Sequence, residues 1–147
     1  EAQQDEVMER WEAMAYANLL HVKIYDGILD TLRALREGGS RLGIVTSRTR
    51  AQFEGGVQPL GLAEYFDAVV CSDEVAHPKP APDAARECLR RLSAPAEDTL
   101  YIGDSAFDMQ CARSAGIRSA LALWGCHEPE RIEADVRLGH PSEILNL

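Results

Sequence analysis

Short apolar runs recur along this chain, with room for one helix between each pair. Leu42–Thr46, Ala68–Cys71, Thr99–Ile102 and Ser119–Leu123 each read as a buried strand. Helical patterns fill the intervals. Ile28, Leu32 and Leu35 share one face of a helix over about Ile28 to Arg36, which Gly38-Gly39-Ser40 breaks. Phe53, Val57 and Leu60 predict a helix ending near Pro59 or Gly61. Pro82 is placed to open a helix to about Leu92, and Ala106–Ala115 is a helix stopped by Gly116. Upstream, Val7, Trp11 and Met14 mark an amphipathic helix from about Gln3 to Leu20. Beyond Trp124-Gly125 the pattern weakens to a short strand at Ala134-Asp135-Val136 and a terminal helix at Pro141–Leu147. Strands and helices in this alternation imply an α/β fold: a doubly wound parallel sheet covered on both faces. Ligands of such sheets sit beyond the carboxyl ends of the strands.

The 147 residues suffice for one domain with a real core. A net charge of −9 argues against nucleic acid and against an anionic membrane surface, both of which attract basic proteins. No apolar run approaches the ~18 residues of a membrane span. The chain starts at Glu1 without a methionine, which is expected of a cut piece of a longer protein. Cys71, Cys88, Cys111 and Cys126 form no C-x-x-C pair and read as free thiols of a reducing compartment, hence a cytoplasmic protein. His21, His77, His127 and His140 show no ligand spacing and read as surface or loop histidines.

Three polar signals stand at strand exits. The first is Thr46-Ser47, where a hydroxyl and adjacent backbone N–H groups can hold phosphate oxygens. The second is Lys79 in Lys79-Pro80-Ala81-Pro82-Asp83, a cation on a proline-stiffened loop. The third is Gly103-Asp104-Ser105-Ala106-Phe107-Asp108, with Asp104 ending a strand and Asp108 in the first helical turn on the same side. Two unit charges ~4 Å apart at an effective dielectric near 20 repel by roughly 4 kcal/mol. A hard divalent cation such as Mg²⁺ relieves that repulsion. Each signal also has a structural reading. Thr46 or Ser47 could cap the next helix, Lys79 could be a solvated charge, and Asp108 could be an acid favoured by the helix dipole. Their conjunction favours a site for a phosphoryl group beside Mg²⁺.

At these residues the chain resembles the haloacid dehalogenase-like hydrolases, in particular the branch of small phosphatases that includes phosphoglycolate phosphatase. Ile44-Val45-Thr46 resembles the second motif of that family, Lys79 in its K-P-x-P-D context the third, and Gly103, Asp104 and Asp108 the fourth. The resemblance runs from about Tyr25 to Leu147. It implies a Rossmann-like core, hydrolysis of small phosphate esters and Mg²⁺ as cofactor. It gives Thr46, Ser47 and Lys79 a phosphate-binding role, Asp104 direct metal ligation, and Asp108 a role on the metal or its waters. Trp124 and His127 are candidates for the rim of the site, although a packed tryptophan is the commoner use.

The first motif of the family, D-x-D-G-T, supplies the aspartate that attacks phosphorus, and it is absent from this sequence. The nearest lookalike is Val22-Lys23-Ile24-Tyr25-Asp26-Gly27, which puts an isoleucine in the nucleophile's place. One reading makes Tyr25-Asp26-Gly27 the hinge from a helical cap, so that residues 1–24 are a remnant of cap and hinge, 25–147 are the core, and the nucleophile lies upstream. The other makes Val22–Tyr25 a degenerate first strand in an inactive binding or interaction module. A receiver-like signalling domain fits less well, because the order Thr46, Lys79, Asp104 does not suit it. The family places the nucleophile strand between the strands ending at Thr46 and Ile102. Without it those strands are expected to pair directly, to recruit another chain through self-association, or to leave a marginally stable piece.

Overall fold

The computed structural model describes residues 23–147. The expected helix Gln3–Leu20, His21 and Val22 lie outside the described residues, as does most of the proposed cap remnant. Lys23, Ile24 and Tyr25 form no strand. They lead through a turn at Asp26-Gly27 into the first described helix.

In chain order the elements are α1 (Ile28–Glu37), β1 (Gly43–Val45), α2 (Arg50–Gly56), β2 (Ala68–Val70), α3 (Asp83–Leu92), β3 (Leu100–Gly103), α4 (Ala106–Ala115), β4 (Arg118–Ala122) and β5 (Val136–Leu138). Every described strand pairing is parallel, as the alternation requires. Helix α3 packs against β1 and β2, α4 packs against β3 and β4, and the two helices touch each other. One apolar cluster joins Ala68 and Val70 to Ala84, Cys88 and Leu92. A second joins Tyr101 to Ala85, Cys111, Ala112 and Ile117, and Val45 packs against both. The close approach of α3 to β1 requires Gly43, because a Cβ there would come 2.4 Å from Cys88 Sγ. All four cysteines are free thiols, and three of them, Cys71, Cys88 and Cys111, are buried.

The strands form two sheets, ordered β1-β2 and β3-β4-β5. Direct pairing of β1 with β3 does not occur. Thr46 donates its N–H to Val70 and Leu42 accepts from Asp67, so the intervening Val45 turns its peptide groups away from β2, towards the gap. A cleft of about 550 Å³ opens there, with Leu35, Leu42, Leu92, Leu100, Ile102 and Leu147 among its walls.

Some boundaries differ from the sequence reading. The last strand is Val136–Leu138, two residues later than expected, because the Asp135 carboxylate is taken by the backbone N–H and hydroxyl of Ser119, both at 2.8 Å. The helix after β1 stops at Gly56, and a separate 3₁₀ turn, Gln58–Leu60, carries the chain to Gly61 with φ +73°. The terminal segment Pro141–Asn146 is 3₁₀ rather than α-helical.

Candidate functional site

The site is organised by the turn from β3 into α4. Ser105 caps α4, accepting from the Asp108 N–H, while the Asp108 carboxylate reaches back to the Ser105 N–H at 3.2 Å. This capping box satisfies orphan donors at the helix start and folds Asp108 towards the strand end. Gly103 makes the fold-back feasible, since a Cβ there would stand 2.3 Å from Asp108 Cβ.

Asp108 is only 6% exposed, and both of its oxygens are engaged. Oδ1 accepts from Lys79 Nζ at 2.7 Å and from the Tyr101 hydroxyl at 3.3 Å. Oδ2 accepts from the Ser105 hydroxyl at 2.7 Å and from the Asp104 N–H at 3.3 Å. Burial pushes its pKa up, but the Lys79 charge and the donors of Lys79, Ser105 and Tyr101 outweigh that and hold it below the ordinary carboxylate value. The Tyr101 hydroxyl, buried beside this anion, is raised and stays a proton donor.

Asp104 is the opposite case. Its side chain keeps a solvent face, and no side-chain donor among the described residues pairs with it. Desolvation first, and the neighbouring Asp108 charge second, raise its pKa. A partly desolvated carboxylate beside another anion is a site short of positive charge. Among the described residues no group of three ligating side chains surrounds it. Such a sparse oxygen set suits Mg²⁺, which keeps several waters and takes further ligands from a bound phosphate.

Lys79 ties the two sheets together at this edge. Its Nζ donates to Asp108 on the β3 side and, at 3.5 Å, to the Val45 carbonyl at the end of β1. Thr46 follows that carbonyl directly, and its hydroxyl accepts from the Arg48 N–H at 3.1 Å. Neither Thr46 nor Ser47 caps α2, a task that falls to Thr49 in a box with Gln52. Ser47 is exposed at the same strand exit. The three sequence signals therefore meet at one edge, with Lys79 and Asp108 in direct contact. His77 lies aside, exposed and paired with Asp83 at 3.0 Å, and His140 caps the terminal 3₁₀ segment.

Sequence reasoning missed three participants. Ser105 was legible as a capping residue from its acid three positions on. Tyr101 was apparent only as a strand residue. Gly125 gave no signal, yet it lies against Asp104, whose Oδ2 would be 2.6 Å from a Cβ at that position. The turn carrying Trp124 and His127 thus passes beside Asp104, with Trp124 half-buried and His127 exposed.

Residues 1–122 match the family model of the haloacid dehalogenase-like hydrolases. Pyrophosphatase PpaX of Bacillus velezensis is 32% identical over 126 residues, a match covering 84% of this chain and 58% of that protein. Its counterpart in Anoxybacillus flavithermus is 33% identical over 149 residues, covering 97% of this chain and 68% of that one. The chain thus spans about three fifths to two thirds of the length of these relatives. Among solved structures, a candidate phosphoglycolate phosphatase from Lactobacillus plantarum superposes with a TM-score of 0.88 at 26% identity, over 99% of this chain and 70% of that one. CbbY of Rhodobacter sphaeroides, solved in complex with phosphate, gives a TM-score of 0.75 at 28% identity, over 88% and 60% of the two chains.

Proposed function

This chain belongs to the haloacid dehalogenase-like hydrolase family, and on that premise we propose that it forms the core of a Mg²⁺-dependent phosphatase of small phosphate esters. The observation that carries the reading is the convergence of three strand exits on Lys79, whose Nζ lies 2.7 Å from Asp108 Oδ1 and 3.5 Å from the carbonyl preceding Thr46. In this reading Lys79 and the Thr46 hydroxyl, with the N–H groups of the turn through Ser47, hold the phosphoryl oxygens. Asp108 keeps the Lys79 ammonium aimed at them. Asp104 is the direct ligand of Mg²⁺, and its lack of a cationic partner among the described residues supports that role. Mg²⁺ bound there draws electron density from the phosphoryl group.

The nucleophile is an aspartate outside residues 23–147, on a strand that fills the gap between β1 and β3. Two observations support this. Lys23, Ile24 and Tyr25 are not a strand, which disfavours a degenerate first strand in an inactive module. Val45 and Lys79 also face the gap, which puts an acid arriving there beside the ammonium. The substrate is a small phosphorylated molecule. The name of the PpaX relatives makes inorganic pyrophosphate one such molecule to try alongside p-nitrophenyl phosphate.

The test is thermal denaturation with Mg²⁺ and inorganic phosphate, together with a phosphatase assay. Phosphate plus Mg²⁺ should raise Tm above the value with Mg²⁺ alone. Asp104→Asn should abolish the rise and Thr46→Val reduce it. No rise in the wild-type chain would overturn the site. Turnover by the chain alone would overturn the external nucleophile.

A further inference from the structure

The turn after β4 carries Gly125, and four facts about it belong together. A Cβ on Gly125 would stand 2.6 Å from Asp104 Oδ2, 3.3 Å from its Cβ and 3.4 Å from its Cγ. The backbone there is not left-handed, since the glycines with positive φ are Gly27, Gly39, Gly61 and Gly116. The turn itself does not demand glycine at this position. Its backbone is also pinned. Leu123 donates to the Leu138 carbonyl at 2.9 Å and Gly125 to the Ala122 carbonyl at 3.3 Å. Leu138 and Ala122 are 1% and 5% exposed, so neither anchor gives way readily. A methyl group at Gly125 would therefore be relieved by the Asp104 carboxylate, the softer of the two parts, swinging away.

We propose that Gly125 is a positioning residue for the metal site, its bare α-carbon letting the Asp104 carboxylate lie against the β4–β5 turn and fixing the direction in which it presents its oxygens. The inference rests on the reading of Asp104 as a Mg²⁺ ligand. It assigns a role to a residue 21 positions beyond Asp104 in sequence and in none of the three polar signals. Metal affinity depends on groups that orient a ligand as well as on the ligand itself, and losing one typically weakens binding about 10- to 100-fold.

The test uses the whole chain, with Mg²⁺ followed by calorimetry and Mn²⁺ as a paramagnetic probe that broadens the amide signals of Asp104 and Ser105. Gly125→Ala should weaken Mg²⁺ about tenfold or more and suppress the Mn²⁺ broadening, with the metal-free Tm near that of wild type. Gly38→Ala, whose Cβ would meet nothing closer than 3.4 Å, controls for the general effect of replacing glycine and should bind as wild type does. Wild-type affinity in Gly125→Ala, with binding lost in Asp104→Asn, would overturn the role of Gly125 alone. Weakened Mg²⁺ binding accompanied by a lowered metal-free Tm in Gly125→Ala would overturn it too, because a general structural defect would then account for the loss. Absence of Mg²⁺ binding in wild type would overturn the metal reading and this inference with it.

Discussion

The two sheets end in opposite chemistry. The β1-β2 sheet ends in hydroxyls, Thr46 and Ser47, whose polar atoms engage little beyond the adjacent loop. The β3-β4-β5 sheet ends in two carboxylates, and the protein itself saturates one of them. Asp108 spends both oxygens on Lys79, Tyr101, Ser105 and backbone, whereas Asp104 has no such partners among the described residues. The contrast separates a saturated acid from an open one within the six residues Gly103 to Asp108. Asp108 is held by the fold and in turn holds the Lys79 ammonium, and Asp104 carries a raised pKa with no side-chain donor among the described residues. Lys79 is a buried polar link between the halves, with the side chains of the ion pair 12% and 9% exposed.

The largest way to break this contrast is Lys79→Met. It strands a buried carboxylate, and breaking such pairs typically destabilises by about 3–5 kcal/mol. Urea denaturation should show a loss near the lower figure, because Ser105 and Tyr101 still donate to Asp108. A loss under 1 kcal/mol would mean that the halves are held by the α3–α4 layer alone. Gly103→Ala should follow, at about 1–3 kcal/mol for overpacking against Asp108. It should also move the Asp108 carboxylate, visible as a shift of the Tyr101 ring signals.

The smallest effect is the most discriminating, because its sign differs between the two acids. The lowered pKa of Asp108 contributes stability that is present above the unfolded value near 3.9 and lost as pH falls through the folded value. The raised pKa of Asp104 works the other way, and metal-free stability declines as pH rises through its folded value. Without Mg²⁺, Asp104→Asn should therefore raise Tm at neutral pH, with the gain vanishing in acid. Asp108→Asn should lower it at neutral pH. If both variants lower Tm at neutral pH, Asp104 is not the strained acid described here.

Much of this was legible because it is local. Helix Ala106–Ala115 carries its own start and stop in Ser105 and Gly116, and its bounds follow from the sequence without adjustment. The strands feeding the site were also visible as apolar runs. The missed features are tertiary. β5 begins later than its pattern implies because Ser119, on another strand, claims Asp135. The division into two sheets rests on β1 and β3 not pairing with each other, which no window around either strand reveals. At the site, Lys79 and the acids could be read as types in a motif, but Tyr101, which donates to Asp108, and Gly125, which lies against Asp104, belong to no motif.

The thiols have a practical consequence. Cys71 and Cys88 are pushed up to about 11 by burial, and Cys111 is likewise raised and enclosed. Cys126 alone is half-buried, in the turn beside Asp104. Its own raised pKa makes it slow at neutral pH and quicker in mild base. Native protein should therefore take a single equivalent of a maleimide or a spin label, and take it next to the acid pair. The molecule thus provides its own attachment point for a reporter at the candidate site, without any cysteine having to be removed.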